Sequence, residues 1–408
     1  MKNGWQTKTI GDVCEFQRGL TYAKGDEVDV SDNVVLRATN IDLATNLLIF
    51  DELKYISDKV VVPKSKKVKK GSLMICMASG SKSHLGKVAF IDDDYGYAFG
   101  GFMGMLTPLN GLLPKYLFHL MTSEDYKDFI GALSDGANIN NLTFDKLKVF
   151  PVPVPPLAEQ QRIVGLLDEA FEGLATAKAN AEKNLRNARA LFESHLQSVF
   201  TQRGPGWVET TIGAEIKFID YRGKTPVKTA SGVRLITAKN VKMGFLQESP
   251  MEFIAAASYK GWMTRGIPQK GDVLFTTEAP LANVAQLDTD EKVAFAQRII
   301  IMQPNAARLD STFLKYLLLS QPVQQRIRTK GTGATVQGIK ASLLKQIEIS
   351  FPKSLATQEE IVSKLDDLRE ETQRLARLYE RKHAALEALK KSLLHRAFNG
   401  ELTMDNGQ

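Results

Sequence analysis

The chain repeats itself at an offset of about 200 residues, and this duplication constrains the fold more than any other feature of the sequence. Gly4-Trp5 followed by Thr9-Ile10-Gly11 returns at the same spacing as Gly206-Trp207 followed by Thr211-Ile212-Gly213. Ala38-Thr39-Asn40-Ile41 answers Ala238-Lys239-Asn240-Val241, Lys70-Gly71 answers Lys270-Gly271, and Lys115-Tyr116-Leu117 answers Lys315-Tyr316-Leu317. Gly136-Ala137 pairs with Gly333-Ala334, and Gln160, Ile163 and Val164 pair with Gln358, Ile361 and Val362, all in preserved order. Two copies of one plan must therefore fold from 408 residues, a length that already calls for two domains or more.

The first 150 or so residues of each copy are rich in glycine, β-branched and aromatic residues. Short apolar runs such as Leu73 to Met77, Val233 to Thr237 and Arg298 to Met302 read as strands. Pro114 to Thr122 and Ser311 to Ser320 read as short helices that bury a Tyr-Leu pair, so each copy opens with an α+β domain. Trp5 and Trp207 read as packing residues.

Each copy then turns to helix formers after a proline punctuation, Pro151-Val152-Pro153-Val154-Pro155-Pro156 in the first, whose Pro153-Val154-Pro155-Pro156 part reads as a rigid hinge rather than a ligand for proline-binding domains, and Pro352 in the second. One helix is predicted from Leu157 to Gln202, ended by Arg203-Gly204-Pro205-Gly206, and another from Leu355 to Phe398, ended by Asn399-Gly400. Thr357 with Glu360 offers a capping box for the second. Alternating steps of four and three residues trace a heptad seam through Ile163, Leu167, Ala170, Leu174, Ala177, Ala181, Asn184, Ala188 and Leu191. The second helix repeats it through Ile361, Leu365, Leu368, Thr372, Leu375, Tyr379, Lys382, Leu386, Leu389 and Leu393. Asn184 and Lys382 read either as tolerated imperfections or as polar residues that fix register.

Helices of this length, roughly 67 Å at 1.5 Å per residue, are too long to pack on one small domain. The expected fold is α+β: two repeated α+β domains, each followed by a long helix, the helices pairing as an intramolecular antiparallel coiled coil. The boundaries fall at 1–155 and 204–352 for the domains, 156–203 and 353–402 for the helices, and 403–408 for a tail.

Composition narrows the function. With 43% hydrophobic and 24% charged residues the chain has the balance of a globular protein, not a disordered one. Two cysteines, Cys14 and Cys76, form neither a four-cysteine zinc site nor a disulfide framework, which fits a reducing, cytoplasmic compartment. Neither a secretion signal nor an apolar span is visible, so no membrane role is expected. The five histidines lack metal spacing, and metal and catalytic sites are both expected to be none. The net charge of +7 is confined to residues 204–352, which hold 19 Lys+Arg against 12 Asp+Glu, while residues 1–155 hold 18 of each. A basic domain suits a polyanionic partner.

Two similar but unlike modules on a stiff rod suit a linear polymer such as duplex DNA. At Pro153-Val154-Pro155-Pro156-Leu157-Ala158-Glu159-Gln160-Gln161-Arg162-Ile163-Val164, its looser second copy Phe351 to Val362, and Ala397-Phe398-Asn399-Gly400-Glu401-Leu402, the chain resembles the specificity subunits of type I restriction-modification systems over its whole length. The resemblance implies two target-recognition domains, each reading one half of a split, asymmetric double-stranded DNA target. It also implies conserved helices that set the spacer and bind two modification (methyltransferase) subunits, with restriction (translocase/nuclease) subunits joining that core. S-adenosylmethionine, ATP and Mg then belong to the partners, and the chain itself carries no cofactor. Its second copy departs from the pattern at Lys353-Ser354-Leu355 and Thr357-Gln358-Glu359-Glu360, so the two helix starts are not expected to bind partners identically.

Because such domains diverge, DNA-contacting candidates rest on local chemistry. The strand-then-loop from Lys70 to Lys87 offers Ser79, Ser81, Lys82, His84 and Lys87 as donors beside small residues that admit phosphate. Its counterpart offers Thr277 and Glu278, the latter able to accept from a cytosine amino group. Asn138, Asn140 and Asn141, with Thr332, Thr335 and Gln337 in the matching loop, suit adenine edges, although turns rich in such residues also bond their own backbone. The lysine run containing Lys64, Lys66 and Lys67, and the clusters at Tyr221, Arg222, Lys224 and Arg328, suit phosphates, with a solvated charged surface as the plainer alternative.

Enzyme readings find little support. Pro155-Pro156 is followed by Leu157 where an adenine methyltransferase needs an aromatic residue, Gly331-Thr332-Gly333 lacks a third Rossmann glycine, and no Gly-Lys-Ser/Thr phosphate loop occurs. Asp42 with Glu52-Leu53-Lys54 is a nuclease pattern that chance supplies in most chains of this length. A coiled-coil scaffold with two protein-binding ends remains the alternative.

Overall fold

The computed structural model describes residues 4–80, 82–134, 141–221, 223, 225–296, 298–333 and 337–402. Two units emerge, one of residues 1–181 with 381–408 and one of residues 182–380, so each long helix contributes to both.

In the first unit, Cys14–Arg18, Met103–Pro108, Leu73–Cys76 and Val88–Phe90 form an antiparallel sheet in that order. A second sheet runs Glu27–Val28, Lys54–Ile56, Asn33–Leu36, Ala98–Phe99, with only the last pair parallel. The second unit repeats both orders with Ile216–Asp220, Ile299–Pro304, Val273–Thr276 and Val284–Gln286, and with Lys228–Thr229, Glu252–Ile254, Val233–Ile236 and Val293–Phe295. The central strands, Leu73–Cys76 and Val273–Thr276, are buried throughout, which accounts for their unbroken apolar runs.

Many repeated residues are backbone clamps. Asn40 takes the Arg37 N–H on Oδ1 at 2.8 Å and donates from Nδ2 to Ile49 O and Glu52 O at 3.1 and 3.2 Å. Asn240 does the same with Thr237 N at 3.0 Å and with Gln247 O and Pro250 O, both at 3.0 Å. Gly71 and Gly271 hold φ of +77° and +92°, a region where a side chain is strained. Tyr116 and Tyr316 are fully buried, and Tyr116 Oη donates to Pro153 O at 2.8 Å while Tyr316 Oη donates to Asp366. Trp207 packs edge-on against Phe200 and Phe313, and Trp5 lies against the first unit's core, as packing residues should.

The proline stretch corrects the hinge expectation. Pro151–Val154 is a strand, paired antiparallel with Gln6–Thr9, and Glu348–Pro352 pairs likewise with Trp207–Thr211. Proline is tolerated there because each of these sheets has only two strands, so every strand is an edge. The long helices run Leu157–Thr201 and Leu355–Phe398. The proposed capping box is also corrected: Ser354 precedes the second helix and its Oγ accepts from Thr357 N at 3.3 Å, while Glu360 pairs with Lys364 at 2.7 Å.

Ile163 and Leu167 share the first unit's core with Leu394, Ala397 and Phe398, and Lys178 pairs with Glu387 at 2.6 Å. Leu196 and Phe200 share the second unit's core with Leu365, and Arg189 pairs with Glu380 at 2.8 Å. Within each unit the two helix segments thus run antiparallel. The heptad seam stays inward through Ala188 and Tyr379 and then slips by one residue. Leu191 and Leu389 are 52% and 48% exposed, Lys382 is exposed, and Phe192, Leu196 and Phe200 or His383, Lys390 and Leu394 take over the inner face. An α-helix of 3.6 residues per turn drifts off a strict 3.5 repeat, and steps of four absorb the drift.

Gln160 and Gln358, both without exposed surface, tie each helix start to its unit. Gln160 Nε2 donates to Gly111 O and Pro155 O at 2.8 and 2.9 Å, and its Oε1 accepts from Leu113 N at 2.8 Å. Gln358 repeats this with Arg308 O, Pro352 O and Asp310 N at 2.8, 2.7 and 2.8 Å. Gln160→Ala strands the buried Pro155 carbonyl and removes two part-buried bonds, and is expected to destabilise the chain by roughly 1–3 kcal/mol, read as a lower urea midpoint; an unchanged midpoint would show the clamp to be dispensable.

Candidate nucleic-acid interface

One end of each central sheet gathers most of the described candidates. In the first unit the strands pair Cys76 with Met103 and Arg18 with Gly104, so Ala78, Phe102 and Gly19 emerge together. The Phe102 carbonyl accepts from Met77 N at 2.9 Å and Ala78 N at 3.1 Å, and Ala78 bridges Asn141. In the second unit Thr276 pairs with Ile299 and Asp220 with Ile300, so Thr277, Arg298 and Tyr221 emerge together. Thr277 N donates to Arg298 O, and Ile339 N to Thr277 O, each at 2.9 Å. Glu278 bridges Gly338, which also bridges Thr332, beside exposed Gln337. In each copy the described residues of the two candidate loops, far apart in sequence, are thus adjacent in space.

Cations converge on the same ends. Lys66 Nζ donates to Arg18 O at 2.8 Å, and Arg18 Nε to Gly101 O at 3.4 Å. Arg265 Nη1 donates to Asp220 O at 2.6 Å, the corresponding carbonyl of the second unit. Arg298 Nε lies 3.0 Å from Glu278 Oε1, both side chains 45% exposed. Arg18, Phe102, Arg265 and Arg298 escaped the reading of the sequence. Arg265 stands one residue before the repeat's counterpart of Lys66, which is Gly266, and Arg298 was hidden at the edge of an apolar strand run. Phe102 is 73% exposed and carries no local polar signal.

Several candidates are turned inward or lie away from these ends. Lys87 is buried and its Nζ donates to Ile41 O, with burial holding its ammonium below the ordinary lysine range despite Asp42 nearby. Tyr221 is buried, its Oη donating to Gly266 O at 2.8 Å and accepting from Arg265 N at 3.0 Å. Thr277 is buried under Arg298. These three are corrected to structural residues, because each spends its polar atom on a backbone carbonyl inside the unit. Arg328 lines a separate cavity of about 1010 Å³ with Gln197, Phe245 and Arg369.

The lysine run does not form one patch. Lys64–Lys66 is a short 3-10 turn, Lys67 bridges Ala98, and Lys70 turns to the other end of the sheet, 3.9 Å from Asp93. Ser79 is half-buried, and His84 contacts Ser83 at 3.4 Å. Ser81, Asn138, Asn140, Arg222, Lys224 and Thr335 lie outside the described residues, as does the side chain of Lys82.

Among the described residues no group of His, Cys, Asp and Glu is set to hold a metal ion, and no helix is long and apolar enough to cross a membrane. Cys14 and Cys76 are free and buried, and burial pushes their thiols up to about 12 and about 11.

Residues 2–184 and 223–380 match the profile of the type I restriction modification DNA specificity domain. The chain is 27% identical to the type I restriction enzyme StySPI specificity subunit of Salmonella potsdam and 26% identical to the EcoKI specificity subunit of Escherichia coli K12, over 99% of this chain and 90% of each relative. Its fold is similar to a chain solved in work on complex assembly and conformational transition of the type I R-M system, with a TM-score of 0.79 at 19% identity over 98% of this chain and 99% of that one. The HsdS subunit of Thermoanaerobacter tengcongensis matches with a TM-score of 0.64, 19% identity and 98% coverage of both chains.

The placement of Lys87 is directly testable. Lys87→Ala should lower the thermal midpoint of the chain, through the lost buried contact, while the salt dependence of DNA binding stays that of the parent; a shallower salt slope would return Lys87 to the surface.

Proposed function

The chain belongs to the type I restriction-modification DNA specificity family, and from that premise we propose that each α+β unit reads one half of a split duplex target through the loop-bearing end of its central sheet. It is the DNA sequence-recognition subunit of such a system. The observation that carries this reading is that the family profile spans both copies and its relatives are specificity subunits along almost their whole length. The scaffold alternative has no such support.

In this reading the chain performs no catalysis. Two methyltransferase subunits and restriction subunits assemble on it, S-adenosylmethionine, ATP and magnesium act on those partners, and the complex works in the cytoplasm. The long helices, pairing as an antiparallel coiled coil, set the number of base pairs between the half-targets. Unlike loops on like scaffolds support an asymmetric target: Phe102 in one unit stands where the other has Arg298.

Co-expression with the cognate methyltransferase and genome-wide mapping of modified adenines tests the reading, with one interrupted, asymmetric motif as the expected result. Affinity of the complex for that motif should fall steeply and linearly in a plot of log K against log salt. Binding indifferent to salt would count against phosphate contact.

Exchanging residues 1–150 for those of a relative should change one half of the motif and leave the other intact; a change in both halves refutes modular reading. Adding seven residues to each long helix should widen the spacer by about three base pairs, since seven rises of 1.5 Å span roughly three rises of 3.4 Å. An unchanged spacer would show that the helices do not measure it.

A further inference from the structure

Arg298 is the least ordinary residue at the second unit's sheet end. It is not glycine, yet its φ is +77°, a conformation side chains rarely adopt and proteins retain where surrounding structure over-determines it. The surroundings do so here: its carbonyl is held by Thr277 N, Thr277 is buried, and Thr277 O holds Ile339 N. The side chain meets Glu278, whose loop is bridged to Gly338, itself bridged to Thr332. A cation that served only solubility would have no need of so rigid a seat.

Glu278 completes the arrangement. Its Oε1 lies 3.0 Å from Arg298 Nε, on the flank of the guanidinium. Among the described residues the guanidinium makes this ion pair and no hydrogen bond, so its two-pronged tip is left for an external acceptor pair. A tip of this shape matches the O6 and N7 acceptors of guanine in the major groove, the commonest specific arginine contact with DNA. The pair as a whole is close to neutral, which removes the charge excess that a phosphate contact would favour. The first unit has Phe102 at this position and Ala78 opposite, so the device belongs to one unit only.

We propose that Arg298 reads a guanine in the half-target of the second unit and that Glu278 is its positioning residue, orienting the guanidinium through Nε. This assignment rests on the specificity-subunit reading above and adds to it the base and the residue that selects it.

The test uses the complete methyltransferase complex and duplexes in which each base pair of the mapped motif is varied in turn. Arg298→Gly is the informative variant, since glycine relieves the left-handed backbone and folding should survive; Arg298→Lys keeps the charge and loses the fork. Both should lose discrimination at one G·C pair of one half-target by about tenfold or more, with the other half-target and the spacer read as before. Glu278→Gln should weaken preference at that same pair, a readout that a role in loop packing alone would not single out.

Weakening that is uniform across all sequences, with a shallower salt slope, would make Arg298 a phosphate contact and overturn the assignment. Unchanged preference at every pair in Arg298→Lys and Arg298→Gly would overturn it as well. A parent complex with no sequence preference would remove the specificity reading and this assignment together, a pattern separable from loss at one pair in the variants alone.

Discussion

A buried amide at the start of each long helix holds the architecture together. Gln160 and Gln358, without exposed surface themselves, each satisfy two carbonyls and one N–H, of which the proline carbonyl bond is buried. The clamp joins three segments: the turn that precedes the short Pro114–Leu120 or Ser311–Leu319 helix, the proline that leaves the terminal strand, and the first turn of the long helix. Because a primary amide offers donors and an acceptor in fixed geometry, it sets the direction in which the long helix leaves its unit. Everything proposed for spacing depends on that direction being the same in every molecule.

Around this clamp the two copies divide their residues by role. Asn40 and Asn240, Gly71 and Gly271, and Tyr116 and Tyr316 recur because each meets a backbone demand that few other side chains meet. At the loop-bearing sheet end the copies differ in chemistry, Phe102 aligning with Arg298 and Ala78 with Glu278. Lys87 and Lys66 show why charge alone is a poor guide there: one lysine is spent on Ile41 O inside the unit, while the other is drawn to the sheet end by Arg18 O. A rigid scaffold with variable tips is what a reader of two unlike half-targets requires.

The seam of the long helices carries a related lesson. Its heptad register holds through Ala188 in the first helix and through Tyr379 in the second and then shifts, leaving Leu191 and Leu389 turned outward. The second helix slips earlier in the repeat, at exposed Lys382, where its counterpart Asn184 still faces inward, so the departure belongs to each helix separately. It hands the inner face to aromatic and aliphatic residues that enter the unit's own core, Phe200 in one case and Phe398 in the other.

Duplication, α+β composition, both long helices and the family were legible in the residues themselves, because period, proline punctuation and repeated motifs are local properties of a chain. The strand character of Pro151–Val154 was not, since only the partner Gln6–Thr9, about 145 residues away, makes an edge strand of it. Nor was the proposed reading surface: Asn141 lies beside Ala78, and Glu278 beside both Gly338 and Arg298, only after the sheet has formed. Tertiary structure decided which polar side chains stay outside, because the same lysine, tyrosine or threonine is a contact or a clamp according to whether a buried carbonyl lies within its reach.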